Sequence, residues 1–166
     1  MPSDSFKTDV ANRLLHYWRE KCGNRPRPLL SDLELMDLYD IAPLMFIRDV
    51  VDGGKDLRCR FWGTEMASAY HMDCSGKLVS DSFTAYGSKN TLDIYMAALE
   101  SGLPMRLLGN LGYVGKSESN SFEGIMLSLD GKDHPKQHVI GAFAFRYQMD
   151  NEDKVIYQTR VAPVAY

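Results

Sequence analysis

A chain of 166 residues suffices for one compact domain with a sizeable core, and its composition, 45% hydrophobic and 25% charged, is ordinary for a globular protein. The formal net charge of −3, without a concentrated Lys/Arg run, gives no electrostatic case for binding nucleic acid. The longest uncharged apolar runs, around residues 41–47 and 139–145, fall well short of the ~20 residues a membrane-spanning helix needs, so membrane insertion is not expected.

In chain order, residues 6–22 form the first predicted helix. Phe6, Val10, Leu14 and Trp18 recur every four residues and Leu15 widens the stripe, which makes one apolar helix face. Ser3 or Ser5 is the expected cap, with Lys7 at a frayed start and Gly23 at the stop. Pro26 and Pro28 then forbid a continuing helix, and the acidic stretch 31–40 reads as one short helix or two turns. From residue 44 the period changes. Residues 44–51 are β-rich, and Asp52-Gly53-Gly54-Lys55 is a hairpin signal because glycine accepts the positive φ of such turns. The return strand runs to Trp62, with Leu57, Cys59 and Phe61 alternating onto one buried face.

Thr64 opens a short helix through Tyr70, and residues 88–101 form a second amphipathic helix stopped at Gly102. Three further strands are predicted at 105–114, 121–129 and 139–149, and 154–161 is β-prone. No helix fits between the later strands, so consecutive ones pair antiparallel. The expected fold is α+β: a five-stranded antiparallel sheet with short helices on one face and an N-terminal flanking helix. The corresponding organisation is 1–30 flanking helix and connector, 31–150 core domain, and 151–166 terminal strand or tail.

The residues also carry a family likeness. Leu15-x-Tyr17-Trp18, the proline connector before Asp32, and the hairpin from Val50 to Arg60 recur in order with Gly63-Thr64 and Tyr70-x-x-Asp73-x-Ser75-Gly76-Lys77. In this the chain resembles the PAS domains, and within them the PAS-5 family of single-domain bacterial proteins typical of alphaproteobacteria. The resemblance implies a PAS-like fold that cups a small molecule, or a filled apolar core, between sheet and helices. It also implies a sensory or regulatory role without catalysis, exerted on a signalling partner such as a histidine kinase.

The walls of such a pocket would come from Phe61, Met66, Tyr70, Tyr86, Met96, Leu107, Phe122, Met126, Phe143 and Phe145, with Tyr70, Tyr86 and Arg106 orienting a ligand. Each of these residues equally serves as plain core. Val10, Leu14 and Trp18 are the interface candidates: if they do not fold back onto the sheet, they present a stripe to a second copy, and a homodimer is expected. No catalytic or metal-ligating residue is assigned. The chain lacks G-x-S-x-G, H-E-x-x-H, P-loop and G-x-G-x-x-G patterns, and the pairs Asp133/His134 and Glu123/Asp130 read as local groups near turns.

Gly109-Asn110-Leu111-Gly112 reads as a turn or strand bulge. His16, His71, His134 and His138 come without a cofactor motif, which disfavours haem, and Cys74 lacks the surrounding run of flavin-photoadduct domains. A small, partly apolar organic ligand, or none, is the remaining expectation. The odd set Cys22, Cys59 and Cys74, without C-x-x-C spacing, argues against disulfides or a zinc knuckle. With no signal-like start, a reducing cytoplasm is the expected location. The competing functions are a ligand-free interaction domain and a small enzyme with a sheet-lined cavity.

Overall fold

The computed structural model describes residues 6–82, 88–111, 120–153 and 164–165. Helix α1 (Asp9–Cys22) leads, and short 3-10 turns at Leu30–Asp32, Leu35–Leu38 and Ala42–Leu44 follow it. The acidic stretch therefore resolves into turns, with Leu38 as their buried anchor. Strands β1 (Met45–Val51) and β2 (Asp56–Trp62) form the expected hairpin, whose turn uses positive φ at Asp52, Gly53 and Gly54. Helices α2 (Thr64–Tyr70), α3 (Val79–Ser82) and α4 (Ser88–Ser101) precede β3 (Met105–Leu111), β4 (Asn120–Leu129) and β5 (His138–Phe145).

The sheet is antiparallel in the order β2-β1-β5-β4-β3, and β6 (Val164–Ala165) adds a two-residue edge on β3. The last long strand thus returns to pair with the first, and the chain closes a PAS-like α+β domain. The β-prone stretch 154–161 lies outside the described residues.

Alternation along the strands builds two cores. Phe46, Phe122, Met126, Val139 and Phe143 face α2–α4 and pack with Met66, Val79, Tyr95 and Leu99. Met45, Ile47, Ile125, Leu127, Ile140 and Ala142 face the other way and are covered by Ala11, Leu14, Leu15 and Trp18 of α1. The interface candidates are therefore occupied within the protomer. Leu14 and Trp18 are buried, Val10 packs against the same cluster, and the Trp18 Nε1–H donates to the Ser128 carbonyl at 3.0 Å. The intramolecular contact carries no association cost.

The start of α1 also differs from expectation. Thr8 is the cap residue, and Ser3 and Ser5 lie outside the described residues. The N–H groups just ahead of the helix are met by a distant carboxylate: Glu123 on β4 accepts from Lys7 N–H at 2.9 Å and from Thr8 N–H at 2.8 Å.

Candidate functional site

The face between the sheet and α2–α4 is floored by aromatic rings lying on glycines. Gly109 on β3 sits opposite Phe122 on β4, Gly124 on β4 opposite Phe143 on β5, and Gly141 on β5 opposite Phe46 on β1. In each pair the ring occupies the space a side chain would need: a Cβ on Gly109 would meet Phe122 at 2.3 Å, and one on Gly141 would meet Phe46 at 2.3 Å. The rings contact one another in turn. Phe122 and Phe143 stack at 4.4 Å, and Phe143 meets Phe46 edge-on at 5.5 Å. Gly109 is accordingly a regular strand residue beneath a ring, not a turn or bulge.

Arg48 lies on this same face, because β1 alternates Phe46, Arg48 and Val50 toward the helices. Its side chain has no exposed surface. The guanidinium carbon is 5.3 Å from the Trp62 ring and 4.8 Å from the Tyr95 ring of α4, within cation–π reach of both. Burial works against its charge, but the adjoining Tyr95, Cys59 and Cys74 favour it and hold its pKa above the ordinary arginine value. The same burial suppresses ionisation of those neighbours. The Cys59 thiol is pushed up to about 11, and Cys74 and Tyr95 are also raised. A cation with five N–H donors thus sits among groups that stay neutral at physiological pH.

Of the sequence-level pocket residues, Met66, Leu107, Phe122, Met126 and Phe143 are buried in this layer, and Tyr70, Met96 and Phe145 pack at its margin. Tyr70 touches Trp62 and Phe145 through its ring. Tyr86 lies outside the described residues.

Phe61 and Arg106 belong elsewhere. A β-bulge shifts the β1–β2 register: Ile47 pairs with Phe61 while Arg48 pairs with Cys59, leaving Arg60 extra. The extra residue turns Phe61 onto the α1 side and brings Trp62 onto the helix side, which strict alternation from Leu57 and Cys59 could not foresee. Arg106 precedes the inward Leu107, so period two places it on the α1 side, where its Nε donates to Glu123 at 2.7 Å. Glu123 is correspondingly no partner of Asp130, which accepts instead from Arg27 Nε at 2.7 Å.

Sequence reasoning missed Arg48, although a signal was present. It is the one charged residue at an inward position of β1, between Phe46 and Val50. Missing too was the Asp49 group. There the His138 Nδ1 lies 2.6 Å from the carboxylate and Arg60 Nε 2.9 Å away. Although burial opposes it, these two contacts hold Asp49 below the usual carboxylate range. His16, His71 and His134 are exposed. All three cysteines are buried free thiols. Among the described residues no three His, Cys, Asp or Glu side chains gather into a potential metal site, and no helix is long and apolar enough to cross a membrane.

No family model matches the chain, and no curated protein matches it in sequence. Solved structures share its shape. VqmA bound to DPO superposes with a TM-score of 0.52 at 11% identity, covering 69% of this chain and 58% of that one. The Vibrio cholerae VqmA dimer in the absence of target DNA gives a TM-score of 0.49 at 12% identity over 69% and 52% of the two chains. The VqmA–ligand–DNA complex gives 0.49 at 12% over 68% and 51%. The chain spans little more than half the length of these proteins, and at such identity the likeness is one of fold.

Proposed function

We propose that the protein is a non-catalytic PAS-type regulatory module that holds a small, partly apolar ligand between the sheet and α2–α4. The observation that carries this reading is Arg48. Simple core filling calls for an aliphatic residue, since burying a guanidinium has a large desolvation cost. Placed between Trp62 and Tyr95, it supplies donors and no acceptor, which suits a ligand bearing a carbonyl or carboxylate beside an apolar or planar body. The fold likeness to VqmA, solved bound to DPO, supports a ligand-binding use of this domain. The non-catalytic reading is supported by the neighbours of Arg48: thiols and a phenol held protonated are poor nucleophiles and bases at neutral pH.

Output passes to a signalling partner such as a histidine kinase in the cytoplasm. The exposed apolar side chains Leu35, Met36 and Tyr39 beside α1 offer a contact face for that partner or for a second copy, in place of the α1 stripe. Membership of the PAS-5 family is part of this proposal and rests on the motif order between Leu15 and Lys77.

The test is native mass spectrometry of freshly purified protein, followed by Arg48→Met. A bound small molecule is expected in the parent and absent from the variant, which stays folded. A parent that retains no added mass and shows no thermal shift across a panel of small carboxylates and carbonyls would leave the ligand-free interaction domain in its place.

A further inference from the structure

On the α1 side, seven polar side chains from four stretches of sequence meet beside the β3–β4 pair. Glu123, fully enclosed on β4, accepts from both Lys7 and Thr8 backbone N–H groups and from the Thr8 hydroxyl at 2.5 Å. Its second role is to receive Arg106 Nε from β3 at 2.7 Å. Arg106 reaches onward with Nη1 to Asp153 at 3.2 Å, and Asp153, only 1% exposed, also takes Lys7 Nζ at 3.2 Å. The Tyr147 hydroxyl donates to Asp153 at 2.5 Å and is itself 3.3 Å from Arg106 Nη2. Asp150 and Asp153 cap each other's backbone, the Asp153 N–H reaching the Asp150 carboxylate at 2.9 Å, and Lys7 is ion-paired to Asp150 as well.

The arrangement has one consequence for the chain ends. Lys7 and Thr8, which lead into α1, have their N–H groups held from β4, and residues 147–153 are held through a carboxylate shared by Arg106, Lys7 and Tyr147. Arg106 and Lys7 belong to both halves. We infer that this network is a single latch, so that the order of the α1 start and the order of residues 147–153 form one event, and a partner engaging either segment changes the other. Buried networks behave this way because losing one member leaves the rest desolvated and incompletely paired, which weakens groups the lost member never touched. This inference concerns the α1 side and stands independently of the ligand reading.

Hydrogen exchange of the full-length chain tests it. Asp153→Asn, which alters no hydrogen bond to an α1 backbone group, is expected to speed exchange of residues 7–13 roughly tenfold, the scale of one lost charge-assisted hydrogen bond. Glu123→Gln, whose hydrogen bonds among the described residues go to Lys7, Thr8 and Arg106, is expected to do the same at residues 147–153. Should Glu123→Gln fail to fold, Tyr147→Phe removes one hydroxyl, leaves the Tyr147 N–H on the Ser121 carbonyl, and must still speed exchange at residues 7–13. Arg13→Ala, which breaks the separate pair with Asp40, serves as control and is expected to leave residues 147–153 unchanged. Variants that loosen only the segment they touch, or a control that loosens residues 147–153 as much as they do, would overturn the latch.

Discussion

The two faces of the sheet handle charge in opposite ways. On the α1 side the centre is apolar, and the buried charges Glu123, Arg106 and Asp153 satisfy one another and hold the residues that lead into α1. On the α2–α4 side a buried cation, Arg48, is enclosed by rings and thiols. The same strands build both, since Arg48 and Ile47, or Phe122 and Glu123, are neighbours in sequence. A face whose polar groups are mutually paired serves permanence. A face that encloses a cation among rings and thiols bears a desolvation cost that an aliphatic core would not, and it is on this face that the ligand is proposed.

The sharpest way to break the comparison is Glu123→Ala. It strands Arg106 in a buried setting and frees the Lys7 and Thr8 N–H groups at the entry to α1, so a loss of about 3–5 kcal/mol in urea unfolding is expected. A loss below about 1 kcal/mol would mean that the network is solvated and the contrast false. Next in size is Gly124→Ala on the opposite face. Its Cβ would lie 2.5 Å from the Phe143 ring, and displacing that ring from the stack is expected to cost about 1–3 kcal/mol. A neutral result would show that the rings are free to move off their glycines.

Arg48→Met, by contrast, is expected to shift stability by less than about 1 kcal/mol or to raise it, because a well-packed hydrophobe replaces a desolvated charge. A loss as large as that of Glu123→Ala would make Arg48 a structural residue and equalise the two faces.

The smallest effect is a slope with pH. The folded-state value of Cys59, about 11, exceeds its ordinary thiol value of 9.0, so the folded chain keeps a proton that the unfolded chain gives up. Its contribution is complete below the ordinary value and is lost as pH rises from there toward about 11. The urea midpoint is therefore expected to fall across that window, and Cys59→Ala to flatten the fall. An unchanged slope would place the titrating group elsewhere.

Much of this molecule is written locally. The four-residue spacing of Val10, Leu14 and Trp18 made a helix, Asp52-Gly53-Gly54 made a hairpin, and the turn-rich connectors made consecutive strands antiparallel, because backbone propensity and apolar periodicity act over a few residues. Those signals sufficed for the α+β class and for most of the layer that faces α2–α4. What they could not carry was the assignment of faces and of long-range partners. One extra residue at Arg60 reversed Phe61 and Trp62, a single step of alternation separated Arg106 from Leu107, and Glu123 found the start of a helix more than a hundred residues earlier in the chain. Each depends on register and on which strands lie side by side, and only the closed sheet, with β5 returned against β1, decides either.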